Sequence, residues 1–333
     1  MTVLVTGVAG FIGYHVARAL LDRGETVIGI DDLNAYYDIR LKQARLDRLI
    51  HPGFHFRCAD ISVPQTLADL AATAPEIDRI VHLAAQAGVR YSLQAPFAYA
   101  KSNLIGHLSV LEMARRLPRL RHLVYASSSS VYGSNPDLPW RETAPVDAPL
   151  SLYAATKRAD ELISHAYTHL FDLPQTGLRF FTVYGPWGRP DMAYFTFAEA
   201  ILEGRPITVY DGGRPRRDFT YIDDIVAGVL GVLAVPPDSG PPRVFNIGNH
   251  QAEAVSTLIA YLEQALGREA VTVAAPRPKA DPSATYAAIE NIAELTGFAP
   301  RTPLDVGIPL FCEWLLAWRQ TRARLDPVEP AAD

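Results

Sequence analysis

Cysteine is scarce. The 333 residues hold two, Cys58 and Cys312, far apart and with no Cys or His partner at metal-ligand spacing. That leaves no disulfide framework and no metal cluster, and it points to a reducing compartment. Neither sign of charge dominates: 31 Lys and Arg against 36 Asp and Glu give a net charge of −5, which argues against a nucleic-acid or anionic-membrane surface. Long apolar runs are missing too. Met1-Thr2-Val3-Leu4-Val5-Thr6 has no basic flank and stops at Gly7, so it reads as neither signal peptide nor membrane span, and the chain is expected in the cytoplasm. Repeats and low-complexity tracts are absent. What remains is ordinary globular composition, 49% apolar and 20% charged, in a chain long enough for one large or two ordinary domains.

Residues 2–6 form a β-rich run, followed by Gly7-Val8-Ala9-Gly10-Phe11-Ile12-Gly13 and a helical pattern through Leu21. A second run, Thr26-Val27-Ile28-Gly29-Ile30, ends at Asp31-Asp32. The order strand, glycine turn, helix, strand predicts a βαβ unit. The glycines permit a tight turn and let backbone N–H groups approach a pyrophosphate at the helix N-terminus. Asp31 is placed to accept hydrogen bonds from an adenosine ribose, which favours NAD over NADP. A glycine turn without a nucleotide is the alternative, and the flanking strands and acidic residue count against it.

Further apolar runs end in small or polar residues. Residues 53–59 lead to Asp60-Ile61, 78–83 to Ala84-Ala85-Gln86-Ala87-Gly88, 121–126 to four serines, and 176–181 to Thr182-Val183-Tyr184-Gly185-Pro186. Open parallel sheets bind ligands at such strand ends. Ala84 and Ala85 are small enough for a flat cofactor to approach; tight core packing is the other reading, and both can hold. Past residue 183 the character changes, with a helix expected over 195–202, prolines at 236–242 and 276–282, and a strand near 243–248 that returns to the first sheet. The tail over 326–333 reads as disordered.

Leu150-Ser151-Leu152-Tyr153-Ala154-Ala155-Thr156-Lys157 places a Tyr four residues before a Lys in a helical segment, with Tyr153, Lys157, Glu161 and His165 expected near one face. A free phenol has a pKa of ~10, too high for a base at neutral pH. An ammonium one turn away favours the phenolate. By itself the pair can equally be a surface Tyr and a solvated Lys.

Gly7-x-x-Gly10-x-x-Gly13, Asp60-Ile61, Leu83-Ala84-Ala85, the segment from Ser127 to Gly133, and Tyr153-x-x-x-Lys157 together resemble the extended short-chain dehydrogenase/reductase family of NAD-dependent epimerases and dehydratases, in order and spacing over nearly the whole chain. The resemblance implies an α/β, doubly wound parallel (Rossmann) sheet over 1–182 carrying NAD. It also implies a smaller, discontinuous C-terminal α/β domain over 183–325 for a nucleotide sugar, and a homodimer. The implied cofactor contacts are Gly7, Gly10, Phe11, Ile12, Gly13, Asp31, Asn34, Asp60, Ile61, Leu83, Ala84, Ala85, Asn103, Ser127, Tyr153 and Lys157. The implied catalytic set is Tyr153, Lys157 and Ser128, the hydroxyl four before Tyr132.

Local runs narrow the resemblance to UDP-glucuronate 4-epimerases: Asp31-Asp32-Leu33-Asn34-Ala35-Tyr36-Tyr37-Asp38, Ala85-Gln86-Ala87-Gly88-Val89-Arg90-Tyr91-Ser92, and Phe181-Thr182-Val183-Tyr184-Gly185-Pro186-Trp187-Gly188-Arg189-Pro190-Asp191-Met192. Related 4,6-dehydratases carry Asp-Glu after the catalytic hydroxyl, and the decarboxylases a Glu at the second of those positions, where this chain has Ser129 and Ser130. The implied reaction is C4 epimerisation of UDP-glucuronate to UDP-galacturonate through a 4-keto intermediate. Such an intermediate is a β-keto acid, so an epimerase must hold the C6 carboxylate firmly. Arg189 can offer a bidentate fork, Ser129, Ser130 and Thr182 hydroxyls, and Arg90 is a second cationic candidate; for Arg189 a solvated loop arginine is the alternative. Arg217 matches a diphosphate contact, with a salt bridge to Asp218 or Asp223 as the other reading. Arg277 falls in a turn where the family has a Gln-Pro-Gly-Asp-like sequence; here Arg277-Pro278-Lys279-Ala280-Asp281-Pro282 departs from it. UDP-glucose 4-epimerase, UDP-glucuronate decarboxylase and a non-enzymatic NAD sensor are the competing functions. Intact Ser128, Tyr153 and Lys157 argue against the sensor.

Overall fold

In the computed structural model, which describes residues 1–238, 240, 242–278 and 282–325, the apolar runs become strands. They are β1 (Thr2–Thr6), β2 (Thr26–Asp31), β3 (Phe54–Cys58), β4 (Arg79–His82), β5 (His122–Ser128), β6 (Gln175–Phe180), β7 (Thr182–Tyr184), β8 (Ile207–Tyr210), β9 (Arg216–Tyr221), β10 (Arg243–Ile247), β11 (Ala252–Ala254) and β12 (Thr272–Ala275). The helices are α1 (Phe11–Asp22), α2 (Ile39–Asp47), α3 (Pro64–Thr73), α4 (Pro96–Tyr99), α5 (Gly106–Ala114), α6 (Leu152–Phe171), α7 (Ala193–Glu203), α8 (Ile222–Ala234), α9 (Val255–Leu266), α10 (Glu290–Thr296) and α11 (Leu304–Leu325).

Seven strands form one all-parallel sheet in the order β10-β6-β5-β4-β1-β2-β3. Helices cover both faces, which is why inner strands such as β1 and β2 are buried almost throughout, while the edge strand β3 alternates between half-buried and exposed residues. Along β1, Val3 and Val5 enter one core and Leu4 the other, all fully buried. Truncating Leu4 to Ala removes roughly 2–5 kcal/mol. The chain winds outward in opposite directions from β1 and β4, so a crevice opens between their C-terminal ends. Gly7 and Ala84 flank it closely: a Cβ on Gly7 would lie 2.8 Å from the Ala84 nitrogen.

β10 runs parallel to β6, with Phe245 opposite Leu178. Its Asn246 is fully buried, receives the Tyr132 hydroxyl at 2.6 Å and donates to the Trp140 and Ala288 carbonyls. The C-terminal elements add a three-stranded sheet, β11-β9-β7, and a parallel pair, β12-β8. Stacked and tilted rings of Trp187, Phe195, Phe311, Trp314 and Trp318 pack α7 and α11 against the loop after β7. The tail over 326–333 and Lys279-Ala280-Asp281 lie outside the described residues. No helix among the described residues is long and apolar enough to cross a membrane.

α6 starts where the Ser151 hydroxyl accepts the Ala154 N–H at 3.1 Å, an N-cap that holds Tyr153 in the first turn. Its buried stripe holds Lys157, Asp160, Glu161, Ser164 and Thr168, while His165 is exposed. The expectation that His165 shares the Tyr153 face is therefore corrected. Each four-residue step overshoots a full turn by about 40°, so three steps carry His165 about 120° away.

Candidate active site

The crevice begins at the turn after β1. Gly7 has φ +73°, and a Cβ on Gly13 would sit 2.1 Å from the Gly7 carbonyl oxygen, so side chains at these positions are excluded. Gly10 caps α1 without any side-chain hydrogen bond. The first N–H groups of α1, from Phe11, Ile12 and Gly13, are therefore left for an anion. Asp31, at the end of β2, accepts N–H bonds from Ala9 (3.1 Å) and Leu33 (2.9 Å). The glycine cradle and the fixed carboxylate fit a dinucleotide. Burial raises the Asp31 carboxyl above its ordinary value, and Lys42, 3.6 Å away, opposes that rise.

Several expected cofactor contacts are already engaged within the protein. The Asn34 side chain binds Asp32 and receives Lys42. Asp60 accepts from Ser62 and pairs with Lys101 at 2.8 Å, and the Ile61 side chain is in the core. Leu83, Ala84 and Ala85 are half-buried on the crevice wall. Asn103 lies in a π-helical turn (Ala100–Ile105) and is 1% exposed. It accepts the Gln86 N–H at 2.8 Å and donates to the Gln86 carbonyl and the Thr156 hydroxyl. The extra residue of the turn re-aims the amide, and Asn103 braces the strand-end turn against α6 instead of reaching outward.

On α6 the Lys157 ammonium donates to the Ala126 carbonyl (3.0 Å) and to Asp160 (3.1 Å). Glu161 is held by the Arg179 fork at 2.8 and 2.9 Å, by Ser127 at 2.6 Å and by Arg158. Burial works to raise its pKa, but Arg179 outweighs that and holds the carboxyl below its ordinary value. This network ties β5 and β6 to α6 behind Tyr153. Among the described residues nothing hydrogen bonds the Tyr153 hydroxyl, which is half-buried. Ser128 accepts the Ser130 N–H and donates to its hydroxyl, both at 3.1 Å; Ser129 and Ser130 follow it, Thr182 lies two residues past its β6 partner Phe180, and all three are half-buried.

A chain of rings leads from Tyr153 to Tyr99, Tyr91 and Tyr36. The Tyr36 hydroxyl donates to Asp191 at 3.1 Å, and Asp191 pairs with Arg189 through two bonds of 3.1 and 2.9 Å. Arg189 is 24% exposed, and through Asp191 and this chain of rings it is linked to Tyr153. Desolvation works against its charge, but Asp191 and the phenols more than offset it and hold the guanidinium above its usual range. Arg90 is exposed and lies over the Tyr210 ring. Arg217, on β9, donates to the Arg216 carbonyl, while Asp218 accepts from the N–H groups of Asn249 and Ala287 and from Thr220. Arg277 pairs with Asp211 at 3.3 Å.

Sequence reasoning missed Arg45, Asp160, Arg179 and Asp191. Arg45 is fully buried and donates to the carbonyls of Ala9 (2.7 Å), Trp187 (2.7 Å) and Gly188 (3.1 Å), which clamps the glycine turn to the loop carrying Arg189. Nothing in the polar α2 sequence signals this. Arg179 did leave a signal, a charge inside the buried run Gly177-Leu178-Arg179-Phe180.

A family model described as the NAD-dependent epimerase/dehydratase family matches residues 3–248. The chain is similar to a probable UDP-glucuronate 4-epimerase of Rhizobium meliloti, 43% identical over 331 residues, covering 94% of this chain and 96% of the relative. It is also similar to UDP-glucuronate 4-epimerase 1 of Arabidopsis thaliana, 44% identical and covering 98% of this chain and 79% of the relative. Among solved structures, UDP-glucuronic acid 4-epimerase from Bacillus cereus in complex with UDP-glucuronic acid and NAD superposes with a TM-score of 0.89 at 33% identity, covering 96% of this chain and all of that one.

Proposed function

The chain belongs to the NAD-dependent epimerase/dehydratase family, and from that membership we propose that it interconverts UDP-glucuronate and UDP-galacturonate by inverting C4 of the sugar. The observation that carries the reading is the largely buried Arg189 guanidinium, joined through Asp191, Tyr36, Tyr91 and Tyr99 to Tyr153: a cation on that side of the crevice suits a sugar acid and has no task toward a neutral hexose. NAD, when bound, supplies a reversible acceptor for the C4 hydrogen with its electron pair.

Tyr153 takes the O4 proton, with Ser128 bridging, and returns it after the 4-keto sugar has turned over. Lys157 holds the cofactor ribose and lowers the cost of the Tyr153 phenolate. Arg189, with hydroxyls from Ser129, Ser130 and Thr182, grips the C6 carboxylate. That grip keeps the carboxylate C–C bond out of the perpendicular geometry in which a β-keto acid loses CO₂. Arg217 and Arg277 lie on the C-terminal elements, where they suit a diphosphate.

A homodimer and a cytoplasmic location belong to the same proposal. Phe97, Ile105, Leu108 and Leu162 are 86, 48, 41 and 55% exposed along α4 to α6, an apolar face suited to a second copy. Cys58 and Cys312 are free thiols. Incubation of purified protein with UDP-glucuronate, read by NMR, tests the function. UDP-galacturonate supports it; CO₂ with a UDP-pentose assigns a decarboxylase; no reaction on the acid with turnover of UDP-glucose assigns the neutral-sugar epimerase.

A further inference from the structure

We propose that Asp160 is a positioning residue for the acid–base pair: its buried carboxylate fixes the Lys157 ammonium and offsets part of the charge that this ammonium presents to Tyr153. The inference rests on the proposed roles of Tyr153 and Lys157. An ammonium has three donors. Two are fixed by the Ala126 carbonyl at 3.0 Å and Asp160 Oδ2 at 3.1 Å, so the third points in one direction, the one left for the cofactor ribose. Lys157 and Asp160 side chains are only 6% and 1% exposed, and Asp160 Oδ1 is buried with no hydrogen-bond partner among the described residues. Such a half-satisfied carboxylate is costly. Its one attachment is the catalytic cation.

Among the described residues the neighbouring charges are matched by partners other than this pair. Glu161 and Arg158 are the other ionisable groups beside Asp160 on α6, and Glu161 is matched by Arg179 from β6 and by Arg158. From α5, His107 stacks over His82 of β4 and sits 2.9 Å from the Ser164 hydroxyl. Burial pushes His107 down to about 3 and His82 well below its ordinary value, so both are neutral at working pH. Tyr125 of β5 stays protonated, its pKa raised by burial. Burial pushes the Asp160 carboxyl up to about 6 against the pull of Lys157. Above that pH Asp160 is ionised, cancels part of the Lys157 field and makes the Tyr153 phenolate harder to form than Lys157 alone would.

Asp160→Asn keeps the shape and removes the charge. The acid limb of turnover on UDP-glucuronate should then move to lower pH by about one unit. Independently of activity, NMR of protein labelled at tyrosine Cζ follows the Tyr153 phenol directly, the signal being assigned by its loss in Tyr153→Phe. Its midpoint should fall by a similar amount in Asp160→Asn. Should the Asn variant not fold, Asp160→Ser carries the same test. A limb and a Tyr153 midpoint both unmoved in a folded variant overturn the proposal. Wild-type protein inert toward UDP-glucuronate would instead overturn the epimerase reading, and the NMR titration would still decide on Asp160.

Discussion

Removing Arg189 separates the acid-sugar reading from every neutral-sugar reading. Truncating one side of a buried charge pair costs roughly 2–5 kcal/mol. With the Arg189 side chain 24% exposed, solvent screening favours the lower part of that range. About 2–3 kcal/mol corresponds to roughly 30- to 150-fold weaker binding of UDP-glucuronate in Arg189→Ala. UDP-glucose, with no carboxylate to hold, should weaken less than about threefold by the same reasoning. The structure adds a second expectation. Asp191, now paired with Arg189 at 3.1 and 2.9 Å, would be left facing the incoming carboxylate. The double variant Arg189→Ala/Asp191→Asn should therefore recover about 1 kcal/mol, near fivefold, for the acid sugar alone. Calorimetric titration of both sugars against wild type and the two variants measures this, with NMR following any UDP-pentose released from the unanchored keto acid. Equal losses for acid and neutral sugars, with an unchanged product distribution, would mean that Arg189 only shapes its loop.

Tyr153→Phe should fold and bind NAD as wild type does yet lose at least ~10²-fold in turnover; near-normal turnover in a stopped NMR assay would remove Tyr153 from the mechanism. NAD, not NADP, should leave the purified protein on denaturation, because Asp31 fills the space of a 2′-phosphate with its two oxygens fixed by Ala9 and Leu33; mass spectrometry showing only NADP would refute that role. Lys42 at 3.6 Å softens the charge repulsion, so the exclusion rests on space and acceptor geometry as much as on sign. Stability should fall as pH drops below 6.5. Burial lowers His15 and His122 to about 4 and His107 to about 3, so the unfolded chain binds their protons first. Each then costs ~1.4 kcal/mol per pH unit on the way down. Asp160 and Asp218, raised to about 6 mainly by burial, act in the opposite sense below that pH and offset part of the loss. Urea midpoints that stay flat from pH 7.5 to 6, where these carboxyls have barely begun to act, would contradict the burial of these imidazoles.

The βαβ start, the acid at the end of β2 and the Tyr153–Lys157 pair were legible because each depends on spacing along one short segment. Gly7 and Gly13 could be read as a turn for the same reason: the backbone there tolerates no Cβ, and the residue type records it. The returning strand at 243–247 was legible as an apolar run, but its place beside β6 came from pairing with residues far away in sequence. His165 shows where spacing alone misleads, since a face drawn at every fourth residue drifts off a real helix. Tertiary structure decided the charges. The α2 sequence is polar, yet Lys42 and Arg45 are buried: Lys42 lies against Asn34 and Asp31, and the loop at Trp187 and Gly188 lies over Arg45 and takes its donors. Asp160 reads as one more helical acid, and only the packing of α5 and β5 against α6 strips away its water and leaves it Lys157. A sequence carries local periodicity and residue type; which charge loses its solvent, and which partner it finds, is fixed only when distant segments close over it.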